Sequence, residues 1–241
     1  MKKLFLLMIA GLFSLSSHAG VVIMGTRIIY PENQKSVNVQ INNDESSPSL
    51  IQSWIDTGDA SAAPDSVKVP FIITPPVFRV EPHSGQTLRI MYTGEILPAD
   101  RESVFWLNVL DIPAKPKFEN KDNLNTNYLQ LAVRSRIKLF YRPEKLAASP
   151  QDAHNLVTWH IEKSGAGTFL RAENKSPYFI TYNHIALNQS NKSIPVSQPG
   201  MVAPYSSERF PVNNRLTGTG EVKWTIVNDY GGYEQGQSVL N

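Results

Sequence analysis

The sequence contains no cysteine among its 241 residues. This absence excludes thiol catalysis, thiolate metal sites and disulfides, so the fold must be held together by its hydrophobic core. Long apolar runs are also missing after the first 19 residues, and no later segment is long enough to cross a bilayer as a helix. We therefore expect a protein that does not insert into a membrane.

Net charge is nearly absent as well. The whole chain carries 23 basic and 21 acidic side chains, a formal charge of +2. Two of the lysines, Lys2 and Lys3, belong to the N-terminal segment, and without them the chain has 21 basic and 21 acidic side chains. A balanced chain has no overall basic surface for nucleic acid, so we expect no nucleic-acid partner.

Motifs of catalytic and metal sites are not apparent either. The histidines that follow the N-terminal segment are scattered in different local contexts, and they are more typical of turns and strands than of a ligand set: His83, His154, His160 and His184. The sequence has no phosphate-binding loop and no nucleophile elbow. We expect no enzymatic activity, no metal and no cofactor.

The N-terminal segment is typical of a secretory signal peptide. Lys2 and Lys3 form a positive start, residues 4–15 form a short apolar run, and Ser17 and Ala19 are the small residues before a cleavage site. We predict that residues 1–19 are removed and that the mature chain is located in the bacterial periplasm.

The mature chain shows the alternation of apolar and polar residues that is typical of β-strands with one buried face. Turn-forming clusters separate the strands, and Pro143 opens an irregular stretch at 143–152 that we interpret as a hinge. The pattern predicts an all-β protein with two immunoglobulin-like sandwich domains, 20–143 and 144–241. The predicted strands are 21–30, 36–42, 49–56, 68–73, 86–93, 103–110 and 128–141 in the first domain, and 156–163, 167–174, 178–188, 194–203, 207–212 and 221–228 in the second.

One predicted strand, 128–141, is longer than strands usually are. One face is apolar along its length, and the other carries Arg134, Arg136 and Lys138. Both ends of the strand could lie in the core of its own domain, with these three cations as an ordinary solvated face. Alternatively, the start of the strand could be an exposed edge that pairs with another chain. The alternation by itself leaves both interpretations open.

The run at 97–113, LPADRESVFWLNVLDIP, resembles the signature of the periplasmic pilus chaperones of the chaperone–usher pathway. Further similarities to this family follow the order of the chain at 26–27, 74–82, 136–143 and 228–232. The resemblance implies two immunoglobulin-like domains set as an L with a cleft between them. It also implies a chaperone that binds and stabilises pilus subunits by donor-strand complementation and delivers them to the outer-membrane usher.

The resemblance assigns roles to individual residues. It implies that Leu129, Leu131 and Val133 form the donor strand that fills the open groove of a subunit. Arg27 and Lys138 match the pair that anchors the C-terminal carboxylate of the subunit.

The resemblance also implies that three charged residues form an ionic network between the domains: Glu102, Arg142 and Asp229. The polar loop at 114–127 is somewhat long, but the absence of cysteine favours the subfamily with a short loop before the donor strand. An exported immunoglobulin-like fibre subunit or adhesin is the alternative function. The sequence leaves open whether the free protein caps its edge strand by forming a homodimer.

Overall fold

The computed structural model describes residues 20–64, 66–115, 129–165, 167–189, 192–212 and 219–240. The predicted signal peptide at 1–19 lies outside these ranges, as do Tyr128 and most of the predicted loop at 114–127. The first half of the described chain contains nine strands, β1 (Val21–Ile23), β2 (Arg27–Pro31), β3 (Val37–Asn43), β4 (Ser49–Asp56), β5 (Phe71–Thr74), β6 (Val77–Val80), β7 (Ser84–Tyr92), β8 (Ser103–Pro113) and β9 (Val133–Arg142).

Two sheets are built from these strands. One has the order β1-β3-β7-β5, and the other has the order β2-β9-β8-β4-β6. Alternate side chains of both sheets meet in one core, whose fully buried members include Tyr30, Ile41, Leu88, Leu107 and Leu139. This arrangement is a β-sandwich.

The second half repeats this architecture. A short 3-10 helix (Ala153–Leu156) leads into β10 (Val157–Ser164), β11 (Gly167–Asn174), β12 (Ile180–Gln189), β13 (Lys192–Pro195), β14 (Met201–Val202), β15 (Ser206–Val212), β16 (Glu221–Val227) and β17 (Tyr233–Val239). The sheets have the orders β10-β11-β15 and β13-β12-β16-β17, and β14 also pairs with β12. Trp159, Leu170, Ile185, Leu187 and Val222 are fully buried between them. The predicted all-β fold with two sandwiches is confirmed.

Several strand boundaries differ from the sequence prediction. The predicted strand 21–30 divides at Gly25, whose φ of +131° is readily adopted only by glycine. As a result, β1 pairs with β3 in one sheet, whereas β2 pairs with β9 in the other. The sequence prediction also missed β17, because most of its side chains are exposed and it has no continuous apolar face.

The long predicted strand begins at Val133 and not at 128. Its antiparallel ladder with β8 ends where Asp111 pairs with Val133. Residues 129–132 are described but have no register partner in β8, so they lack the ladder of hydrogen bonds that defines a strand. The prediction was wrong at this end because alternation reports side-chain faces and not the presence of a neighbouring strand.

Candidate functional site

The strand β9 consists of two parts with opposite surroundings. In its second part Leu139 and Tyr141 are buried in the first core. At its start Val133 is 57% exposed, and the preceding Leu131 and Leu129 are 62% and 82% exposed. The interpretation that both ends of the apolar face lie in the core of the same domain is therefore wrong for the first part.

The two neighbours of β9 cover different lengths of it. On one side, β8 pairs with residues 133–141. On the other side, β2 runs parallel to β9 and pairs only with residues 138–142. Among the described residues, 133–137 therefore have one unpaired edge of main-chain N–H and C=O groups. We call residues 129–137 the donor segment; it combines exposed apolar side chains with a free strand edge.

Arg27 and Lys138 lie beside each other at the end of the donor segment. They are register partners in the parallel pair of β2 and β9. The Arg27 side chain donates a hydrogen bond from Nη1 to the main-chain oxygen of Val227 at 2.7 Å, and Lys138 Nζ donates to Thr181 Oγ1 at 3.2 Å. The structure thus brings Arg27 and Lys138 together, and groups of the second domain hold each of them. We call these two residues the anchor pair, after the role that the resemblance implies.

The anchor pair is a site of positive charge without a direct ion-pair partner among the described residues. Neither cation has an acidic oxygen within 4.0 Å in the part of the chain that the structure describes. Burial and, secondarily, the charge of Arg27 lower the pKa of Lys138 to about 8. Burial also lowers the pKa of Arg27, although the charges of Asp229 and Glu102 oppose this. A carboxylate placed between the two cations would relieve both their repulsion and their loss of solvation.

A cavity of about 230 Å³ adjoins the anchor pair. Its walls include Trp106 from β8, Ile137 from β9 and Tyr233 from β17, so apolar and aromatic surface lies next to the two cations. The Lys138 ammonium is 5.5 Å from the centre of a Trp106 ring, and the Arg27 guanidinium is 5.7 Å from the centre of the Phe140 ring. These contacts orient the cations without forming an ion pair with them.

The three residues expected to link the domains also meet. Arg142 at the end of β9 donates to Glu102 Oε1 at 2.7 Å and to both carboxylate oxygens of Asp229 at 2.6 and 2.9 Å. The Glu102 Oε2 atom accepts a further hydrogen bond from the main chain of Phe179. Burial would lower the pKa of Arg142, but the hydrogen bonds that it donates to Asp229 and the charge of Glu102 outweigh burial and raise that pKa.

Sequence reasoning missed the contacts that hold the two cations in place. The Thr181 hydroxyl and the Val227 carbonyl come from distant parts of the chain, and no local pattern marks them. It also had no contact to assign to Arg134 and Arg136, which formed a solvated face under one of its two open interpretations; their side chains are 29% and 20% exposed and lie beside the buried Asp56. The sequence signal that could have indicated this contact was a carboxylate at the end of β4 together with two arginines on one face of β9.

In the described ranges, no group of three or more histidine, cysteine, aspartate or glutamate residues is placed to hold a metal ion. No helix among the described residues is long and apolar enough to cross a membrane.

Comparison with known families matches both halves of the chain. Residues 20–147 match the pili and flagellar-assembly chaperone family in its PapD N-terminal domain, and residues 152–238 match the pili assembly chaperone PapD C-terminal domain. The chain is 45% identical over 231 residues to the probable fimbrial chaperone YadV of Escherichia coli strain K12, covering 95% of this chain and 93% of that protein. It is 44% identical over 229 residues to the chaperone protein HifB of Haemophilus influenzae, covering 95% and 91% of the two chains.

Solved structures give the same result. The crystal structure of the YadV chaperone superimposes with a TM-score of 0.77 at 41% identity, covering 92% of this chain and all of that one. The CupB2 chaperone of Pseudomonas aeruginosa gives a TM-score of 0.75 at 34% identity, covering 91% of this chain and all of that one. These relatives are chaperones, which decides between the two functions that the sequence left open. The chain belongs to the family of pilus-assembly chaperones, and its function is that of a fimbrial chaperone.

Proposed function

We propose that this chaperone binds a pilus subunit in the periplasm by adding its donor segment to the incomplete sandwich of the subunit. The observation that carries the proposal is the free edge at 133–137. The edge begins at Val133, the last of three exposed aliphatic side chains, and ends beside Lys138 of the anchor pair. A free edge offers main-chain hydrogen bonds that tolerate different partner sequences. The alternate side chains then supply the fit.

The donor side chains contribute the apolar part of binding. Leu129, Leu131 and Val133 are each more than half exposed in the free protein. Burying each of them in a groove is worth roughly 1.5–3 kcal/mol of transfer free energy. The loss of translational and rotational freedom on association offsets part of this gain.

The anchor pair supplies the polar part. We propose that Arg27 and Lys138 together bind the C-terminal carboxylate of the subunit. Two neighbouring cations that are held by second-domain groups, and that have no direct ion-pair partner among the described residues, can each donate a charge-assisted hydrogen bond to one carboxylate. Because the carboxylate occupies a fixed point at one end of the donor segment, it would set the register of the added strand.

The network of Glu102, Arg142 and Asp229 has a structural role in this proposal. It joins β9, which carries the donor segment, to the turn that follows β16 in the second domain. Domains joined by a short hinge move relative to each other unless an interface restrains them. We assign the network to holding the second-domain contacts of Arg27 and Lys138 in place.

A related complex supports the choice of partner. The structure described as SafA pilin in complex with the SafB chaperone of Salmonella enterica gives a TM-score of 0.76 at 25% identity, covering 93% of this chain and 98% of the matched one. By analogy we propose a pilus subunit as the partner of this chain.

We further propose removal of residues 1–19 on export, domains at 20–143 and 144–241, no enzymatic activity and delivery of the subunit to the outer-membrane usher. Capping of the free edge in a homodimer remains a hypothesis.

Co-expression with the pilus subunits of the same fimbrial system tests the proposal. The chaperone is purified from periplasm through an affinity tag, and bound subunits are identified by mass spectrometry. We expect Arg27→Ala and Lys138→Ala to recover no subunit, since losing one partner of a desolvated charge pair costs about 2–5 kcal/mol. Arg209→Ala is the control, because Arg209 is an exposed arginine of the second domain. Full recovery of subunit by both anchor variants would refute the anchoring role.

A further inference from the structure

A buried carboxylate lies behind the donor segment. Asp56, the last residue of β4, is fully buried. Its Oδ1 accepts hydrogen bonds from the main chain of Gly58 at 2.7 Å and from Arg136 Nη2 at 2.5 Å. Its Oδ2 accepts from the Asn108 side chain at 2.7 Å and from Arg136 Nε at 3.2 Å. Every hydrogen bond of this carboxylate therefore leads to its own turn, to the adjacent strand β8 or to the next strand, β9.

Asn108 extends the same network towards the start of β9. This residue of β8 is fully buried. Its Oδ1 accepts two hydrogen bonds from Arg134, from Nε at 2.9 Å and from Nη2 at 2.6 Å. Arg134 also donates from Nη1 to the main-chain oxygen of Ala60 at 2.6 Å. We call Asp56, Asn108, Arg134 and Arg136 the clamp; it runs across three adjacent strands.

Aromatic rings complete the clamp on the same face. The Arg134 guanidinium is 4.8 Å from the centre of a Trp54 ring, and the Arg136 guanidinium is 4.2 Å from a ring of Trp106. Each arginine of the clamp is thus held by directed hydrogen bonds and by a ring. Such double fixation leaves these two side chains little rotational freedom.

The position of the clamp relates it to subunit binding. Residues 134 and 136 lie within the stretch of β9 whose second edge is unpaired. Successive side chains of a strand point to opposite faces, so fixing the even positions against the domain directs the odd positions to the other face. A shift by one residue would exchange the two faces. The clamp therefore acts on the register and on the orientation of the donor side chains, although it touches none of them.

We propose that Asp56 and Asn108 are positioning residues for subunit capture, which hold Arg134 and Arg136 so that the donor segment is extended and in register before a subunit arrives. This inference rests on the proposed function, since it concerns how the same segment is prepared for binding. A segment that is ordered beforehand loses less conformational entropy on association. Leaving one residue to be ordered on binding weakens affinity roughly 5- to 30-fold.

The charges around Asp56 are consistent with a permanent clamp. Burial opposes ionisation, but hydrogen bonds from Arg136, Asn108 and Gly58 outweigh it and lower the pKa of Asp56. The carboxylate therefore keeps its charge, and the interaction with Arg136 persists, at neutral pH.

Two variants weaken the clamp in different ways. Asp56→Asn keeps the shape of the side chain but removes the charge that faces Arg136. Arg134→Met keeps an apolar chain over Trp54 and loses the hydrogen bonds to Asn108; because Arg134 is 29% exposed, this variant stays informative even where Asp56→Asn does not fold. Arg89→Met is the matched control, since Arg89 of β7 lies in the other sheet and donates to Ser36 on the surface.

The first measurement is amide hydrogen exchange on the free full-length chaperone, which needs no subunit. We expect amide exchange at 133–137, the part of the donor segment that pairs with β8, to become at least about tenfold faster in both clamp variants, with exchange in the rest of the first domain unchanged. The second measurement is the affinity for the subunit that co-purifies with the unmodified chaperone, refolded from denaturant in its presence. We expect a loss of roughly 5- to 30-fold, while Arg89→Met changes neither quantity.

The outcomes separate this inference from the proposed function. Unchanged exchange at 133–137 would overturn the clamp. Faster exchange throughout the first domain would also overturn it, because it would indicate a purely structural role. Faster exchange confined to the donor segment with unchanged affinity would overturn the positioning role, and capture would still depend on the anchor pair. Only faster exchange confined to the donor segment, together with weaker capture, supports the proposal.

Discussion

Raising the pH above neutrality should weaken subunit binding through a single side chain, Lys138. Its pKa is about 8, because burial and the nearby charge of Arg27 disfavour the ammonium form. A bound carboxylate favours the ammonium form, so the complex keeps the proton that the free chaperone loses above this pKa. Binding therefore takes up a proton in alkaline solution, and the dissociation constant must rise with pH.

The size of the effect follows from the pKa. At about pH 7 roughly nine-tenths of the free chaperone already carries the charged lysine, whereas at about pH 9 only about one-tenth does. The dissociation constant should therefore rise about tenfold between these two pH values.

Folding stability should respond in the opposite direction. Because the pKa of Lys138 lies below its usual 10.5 in the folded chain, the unfolded chain binds the proton more tightly between these values. The contribution of Lys138 should therefore increase the free energy of unfolding as pH rises from about 8 towards 10.5. Weaker binding at about pH 9 would then not result from destabilisation of the fold by Lys138.

Calorimetric titration with a peptide from the C terminus of a pilus subunit provides the assay. The same peptide with an amidated C terminus lacks the carboxylate and should bind weakly at every pH. The matched protein variant is Lys138→Arg, whose guanidinium does not titrate in this range. Its affinity should differ from that of the unmodified chaperone but should be independent of pH up to about 9. An unmodified chaperone whose affinity is equal at both pH values, or an arginine variant with the same tenfold change, would refute the reasoning.

Three further predictions concern stability and capture. Leu131→Ala should leave the free energy of unfolding within about 0.5 kcal/mol of its original value and weaken subunit capture roughly tenfold or more; a clear loss in denaturant stability would contradict the exposed position of this side chain. Leu139→Ala removes a fully buried side chain and should cost about 2–5 kcal/mol in the same unfolding experiment; a cost below about 1 kcal/mol would argue against the described core. Arg142→Ala leaves the carboxylates of Glu102 and Asp229 unpaired and should cost about 3–5 kcal/mol, with faster proteolysis in residues 143–152; equal proteolysis would speak against a role in joining the domains.

The comparison of sequence and structure is clearest along β9. Alternation correctly indicated which side chains share a face, because that periodicity is a local property of an extended chain. It did not indicate that the strand begins at Val133, because strand formation requires a hydrogen-bonded neighbour and β8 ends its pairing there. The unpaired edge at 133–137 has the same origin, since it depends on where β2 begins, with Arg27 beside Lys138.

The sequence by itself determined the all-β class, the export signal as a prediction and, through its family resemblance, the residues of the anchor pair and of the interdomain network. The tertiary structure alone decided their surroundings. Thr181 and the carbonyl of Val227 approach the two cations only because the second sandwich packs against the first. Arg134 and Arg136 resembled solvated charges in the sequence, but Asp56 meets them because three strands lie side by side. Contacts between residues far apart in the chain depend on sheet order and register, and no local pattern encodes these.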